Sequence, residues 1–137
     1  MEIVPTVGIG PIRFGMCPDE VRALFLEKET YEEWMGGNLN DSLLYRGLIV
    51  GFDAHDAYGP LPRGRFDQLR LNGRDDATIW GENISNWTKT SLGEYLQQHR
   101  IHYEVHDNGD VLVSSLSLSL AFDDSDSLQY IEMWRPR

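Results

Sequence analysis

The segment GLIVGFDAHD, residues 47–56, returns seventy positions later as SLSLAFDDSD, residues 117–126, and a chain that repeats itself has few ways to fold. Leu48 falls over Leu118, Val50 over Leu120, Phe52 over Phe122 and Asp53 over Asp123. Upstream, an offset of 71 sets CPDEVRALF (17–25) over TKTSLGEYL (88–96), with Val21 over Leu92 and Phe25 over Leu96. The same offset sets YEEWMGGN (31–38) over HYEVHDNG (102–109), which aligns Gly36-Gly37 with Asp107-Asn108 as hairpin turns. Downstream, DQLRLN falls over QYIEMW at an offset of 62, because the loop AHDAYGPLPRGR is longer than DDSDS.

Each unit reads helix, strand, turn, long strand, loop, strand. Two units predict an α+β fold: an antiparallel sheet of about six strands with two helices on one face. The 137 residues suit a single domain, with repeats at about 8–72 and 84–135 joined by residues 73–87. Pro18 at the first helical position and Asp19 and Glu20 in the first turn mark the first helix. Thr88 or Thr90 caps the second, which Gly93 weakens by ~1 kcal/mol.

Alternation divides the sheet into two faces. Leu116, Leu118, Leu120 and Phe122 alternate with Ser115, Ser117, Ser119 and Ala121, as on a strand with one buried face. Helix residues Val21, Leu24, Phe25, Leu92, Tyr95 and Leu96 are expected to cover this apolar set together with Leu48, Val50, Phe52, Leu69, Leu71, Ile131 and Met133. The opposite face then carries small residues, Gly47, Gly51 and the serines, with Ile49, Gln68, Arg70, Tyr130, Glu132 and Trp134. Trp34, aligned with the inward Val105, belongs to the core. Water is one use for such a face, and close approach by another protein is a second.

The chain carries 22 acidic against 12 basic side chains, a net charge of −10, with the deficit in both halves. Such a field repels nucleic acid and anionic membranes and speeds encounter with basic partners. MEIVPTVGIG has an acid where a secretory leader carries a basic region, and no apolar run reaches the ~20 residues of a membrane span. A single cysteine excludes an internal disulfide. Both features predict a cytoplasmic protein, in which the Asn-x-Ser/Thr triplets at Asn40, Asn83 and Asn86 are not glycan sites.

Chemistry-bearing patterns are sparse. On a strand His102, Glu104 and His106 project together, as two imidazoles and a carboxylate suited to zinc, but Tyr103 and Val105 also explain the pattern as an ordinary half-buried strand. Cys17 has acidic neighbours that oppose a thiolate, and no nucleophile elbow or phosphate-cradling loop is present. Neither enzyme activity, metal nor cofactor is expected. Asp53 and Asp56 in one half, and Asp123, Asp124 and Asp126 in the other, serve either as turn formers or as contacts for basic side chains. Tyr58, Asp75, Asp76 and Trp80 join them as candidate partner-binding residues, with Tyr130, Glu132 and Trp134 on the open face. Trp80 and Trp87 read equally well as packing between the halves.

GPIRFGMCPDEVRALF resembles the Gly-Met-Thr/Ser-x-x-Glu/Gln-Val helix start of small tandem helix-plus-sheet proteins, the β-lactamase inhibitory protein-like domains, with Cys17 in place of the hydroxyl cap. As a small acidic chain without a catalytic set, it is also similar to bacterial immunity proteins that guard against polymorphic or contact-dependent toxins. That resemblance implies an inhibitor of a cognate basic toxin domain, often a nuclease, acting by protein contact. It assigns no residue. A small-ligand or enzymatic domain using the open face, and a self-associating scaffold, are the alternatives.

Overall fold

The computed structural model describes residues 1–25, 29 and 40–137. Both helices stand where their start signals place them. α1 is Pro18–Leu24, and Glu20 Oε1 accepts the N–H of Cys17 at 3.1 Å, so an orphan donor at the helix start is satisfied. That bond holds the Glu20 carboxyl below its ordinary pKa. α2 is Lys89–Gln98, and here Thr88 and Ser91 cap one another: the Thr88 hydroxyl accepts the Ser91 N–H at 3.1 Å, and Ser91 Oγ accepts the Thr88 N–H at 2.9 Å.

The strands are β1 Glu2–Val4, β2 Gly8–Ile9, β3 Ile12–Arg13, β4 Ser42–Tyr45, β5 Leu48–Phe52, β6 His55–Asp56, β7 Gly59–Pro60, β8 Phe66–Asn72, β9 Thr78–Ile79, β10 Glu82–Asn83, β11 Glu104–Val105, β12 Asp110–Val113, β13 Leu118–Phe122 and β14 Leu128–Trp134. The principal sheet has seven strands, ordered β11-β12-β13-β14-β8-β5-β4, with every neighbour antiparallel. A smaller sheet, β10-β9-β1-β2-β3, contains the one parallel pairing among the described residues, β1 with β9; β6 and β7 form a separate hairpin. The architecture is α+β, with two helices and mostly antiparallel sheets.

Three expectations need correction. The sheet has seven strands rather than about six. Both expected long strands are hairpins: in the Leu-Ser run Ser114–Leu116 makes a 3₁₀ turn, Ser117 takes φ 49° and the chain reverses between β12 and β13, while in the first half it reverses between β4 and β5. A period of two continues through a tight turn unchanged, so alternation could not reveal the reversal. The connection 73–87 is structured too, supplying β9, β10 and a 3₁₀ turn at Ile84–Asn86, while the N-terminal residues supply β1, β2 and β3. These strands are two or three residues long, too short to show a period. Val105, expected inward, is 59% exposed. The expected hairpin at Gly36-Gly37 and the core assignment of Trp34 lie outside the described residues.

One continuous cluster of buried side chains joins both sheets and both helices: Val21 and Phe25, Leu92 and Leu96, Ile3, Ile9, Ile12 and Ile79, with Leu48, Val50, Leu69, Leu71, Leu118, Leu120, Ile131 and Met133. These last eight residues belong to the predicted inward set, as do the buried Phe52 and Phe122. Leu116 lies in the 3₁₀ turn, packed at the cluster's margin. Because paired residues share a face, the registers Gly51↔Gln68, Ile49↔Arg70, Ser119↔Glu132, Ala121↔Tyr130 and Trp134↔Gln68 assemble the opposite face from the residues that alternate with the core.

Candidate functional site

The open face centres on β8 and β14, the middle strands. Arg70 and Glu132 are register partners there and form an ion pair, and the guanidinium carbon lies 4.4 Å from the centroid of the Tyr130 ring. Two hollows flank this pair. The first, about 250 Å³, lies toward the β5 end of the face and is lined by Asp41, Ser42, Ile49, Gly51, Gln68, Arg70, Glu132 and Trp134 among others. Gly51 lets the Gln68 side chain lie across it: a Cβ built there would stand 2.5 Å from Gln68 Cγ. The second, about 520 Å³, lies toward the other end, between Arg70, Asn72, Arg74 and the Asp123–Ser127 loop.

Strand direction separates the candidate acids. From β5 to β13 there are three antiparallel steps, through β8 and β14, so these two strands run in opposite senses. Asp53, after β5, and Asp123, after β13, therefore sit at opposite ends of the sheet. Asp41, Asp53, Asp56, Tyr58 and Trp134 occupy one end. Asp123, Asp124 and Asp126 occupy the other, together with Asp75 and Asp76, which follow β8. The ends are about 20 Å apart by strand rise and spacing, roughly twice the Debye length at physiological salt.

Several acids hold turns as well. Asp53 Oδ1 accepts the Arg65 N–H at 2.8 Å and Asp56 Oδ1 the Tyr58 N–H at 2.8 Å. Asp123 Oδ1 accepts from Ser125 and Ser127, at 2.8 and 3.0 Å, and Asp126 Oδ1 accepts the Lys89 N–H at the start of α2, at 2.9 Å. Each of these bonds uses one oxygen. Tyr58 projects from the β6–β7 hairpin and is 98% exposed.

Asp67, a residue the sequence did not single out, adds to the β5 end. It is the extra residue of a bulge, since Gly51 pairs with Gln68 and Phe52 with Phe66. Its Oδ1 is buried without a hydrogen bond. Desolvation first, then the charges of Asp53 and Asp41, raise its pKa above the ordinary 3.8, partly offset by Arg135. The folded state thus holds this proton more tightly than the unfolded chain, and stability falls as pH rises through the interval above 3.8. Asp67→Asn is expected to raise the melting temperature at pH 7 and to leave it unchanged near pH 3, where both forms are neutral. Equal shifts at both pH values would show that charge is not the cause.

The remaining candidates disperse. Trp80 stacks on Tyr95 at 4.8 Å and meets Trp87 edge-on at 6.0 Å, and Tyr95 stacks on His99 at 4.0 Å, so both tryptophans pack against α2. His106 Nε2 lies 3.6 Å from Glu104 Oε2, but His102 does not join them, and no group of three metal-ligating side chains occurs among the described residues. No described helix is long and apolar enough to cross a membrane. In comparisons with known proteins, no family model, curated protein sequence or solved structure matches the chain.

Proposed function

We propose that the protein is an immunity-type inhibitor that binds and neutralises a cognate basic toxin domain, a nuclease, by protein contact in the bacterial cytoplasm. The observation that carries this reading is the β5 end of the sheet, where Asp41 lines a hollow walled by Trp134, Asp53 and Asp41 both act on the carboxyl of Asp67, and Tyr58 projects into solvent from the hairpin that Asp56 holds. Carboxylates beside aromatic anchors suit a basic surface. Seven strands of about five residues offer roughly 500 Å² by strand spacing. A standard interface takes about 800 Å² from each partner, so the loops at the sheet's end must join the contact.

The sheet owes its breadth, in this reading, to two copies of one unit. Under offsets of 70 for β5 and 62 for β8, the pairs Leu48↔Leu71 and Phe52↔Phe66 become Leu118↔Met133 and Phe122↔Leu128, which are the observed partners of β13 and β14. Both strand pairs carry a bulge at the same step, opposite Gly51/Phe52 and Ala121/Phe122. The hairpin Gly8↔Arg13, Ile9↔Ile12 likewise becomes Thr78↔Asn83, Ile79↔Glu82 at an offset of 70. The second copy on this reading starts at 78 rather than 84, and the copies meet at Arg70 and Glu132.

The test is co-expression with the C-terminal domain of the protein encoded immediately upstream. A stoichiometric complex whose association slows with rising salt is expected, with loss of the toxin's activity. A soluble upstream domain that forms no complex at low salt overturns the reading.

A further inference from the structure

The hollow at the β5 end has the size and lining of a receptor for a single side chain. Its volume, about 250 Å³, lies below the ~300–1,000 Å³ of sites for small-molecule ligands. Ile49 supplies an apolar floor, the Gln68 side chain lies across Gly51, and Trp134 supplies an aromatic wall. Its charge is settled by elimination. Arg70 is committed to Glu132 and held against Tyr130, which leaves Asp41 as the uncompensated charge in the lining. Asp41 accepts hydrogen bonds from Ser42 Oγ at 3.0 Å and, at 3.4 Å, from Gln68 Nε2, and it has no cationic partner among the described residues. Asp67 lies within its field, and within those of Asp53 and, with the opposite sign, Arg135.

We propose that this hollow is the anchor pocket for one arginine side chain of the partner protein, its guanidinium against the Trp134 ring and bonded to Asp41. Arginine fits better than lysine because a planar guanidinium stacks on an aromatic face while its edge donates to a carboxylate. An apolar floor beneath accommodates the methylene stem. The inference rests on the inhibitor reading for the identity of the partner, but the pocket is testable without it.

The probe is N-acetyl-arginine methylamide, titrated into the ¹⁵N-labelled protein and read as chemical-shift changes, with N-acetyl-citrulline methylamide as the uncharged counterpart. Millimolar binding is expected, with shifts concentrated at the Trp134 indole N–H and the amides of Ser42 and Gly51. Asp41→Asn is expected to weaken it at least fivefold, and citrulline to produce no comparable shifts. Shifts spread equally over both acidic ends, equal response to citrulline, or unchanged binding in Asp41→Asn would overturn the pocket. Trp134→Leu is a second variant at the opposite wall, expected to weaken the arginine probe likewise. The titration judges the pocket and complex formation with the toxin domain judges the inhibitor reading, so either can fail alone: a full-strength complex with no seated arginine probe leaves the function standing and removes the anchor.

Discussion

Leu120→Ala is expected to cost about 2–5 kcal/mol of folding stability, whereas Ser119→Ala, one residue earlier on the same strand, changes it by less than about 0.5 kcal/mol. Leu120 is 0% exposed and pairs with Val111 on one side and Ile131 on the other, both in the core. Deleting its branched end leaves a cavity between two neighbouring strands, bounded by backbone hydrogen bonds that resist collapse. Ser119, paired with Leu112 and Glu132, stands on the open face, where water or a neighbouring side chain takes the place of the lost hydroxyl. Urea unfolding of both variants measures the difference directly. Comparable costs would mean that the open face is packed as the core is, and the case for a docking surface there would fall with it.

That contrast marks how far the sequence could be read. The inward set was legible because each of the long strands β5, β8, β13 and β14 alternates over at least five residues, and both helices announce themselves through Pro18, Asp19, Glu20 and Thr88. The turn at Ser114–Ser117 was hidden, because its only special conformation falls on Ser117, a residue type that gives no warning of φ 49°. Gly47, which alternation places on the open face of a strand, instead makes the turn between β4 and β5 with a positive φ of 75°. The acids were visible as types but not as places. Asp53 and Asp123 look equivalent along the chain, and only the three antiparallel steps between β5 and β13 put them at opposite ends. Asp41, which lines the hollow, sits before a strand that the repeat did not delineate, and Asp67 owes its buried oxygen to a bulge that no periodicity foretells.

Opposite placement of the acids makes a matched experiment available. The triple variant Asp41→Asn, Asp53→Asn, Asp56→Asn and the triple variant Asp123→Asn, Asp124→Asn, Asp126→Asn remove the same net charge from the two ends. Asparagine keeps the Oδ1 acceptor with which Asp53, Asp56, Asp123 and Asp126 hold their turns, so both variants should fold. If the whole acidic surface steers the toxin domain, association slows equally in both. If contact is made at the β5 end, the first variant slows association about tenfold and speeds dissociation, because charges within a Debye length of the interface act both before and after encounter. The second, about 20 Å away by strand geometry, leaves dissociation unchanged. Stopped-flow association and surface-bound dissociation at two salt concentrations separate these results. A larger loss in the second variant would move the interface to the Asp123–Ser127 loop and the hollow beside Arg74, and the arginine pocket would then lie outside it.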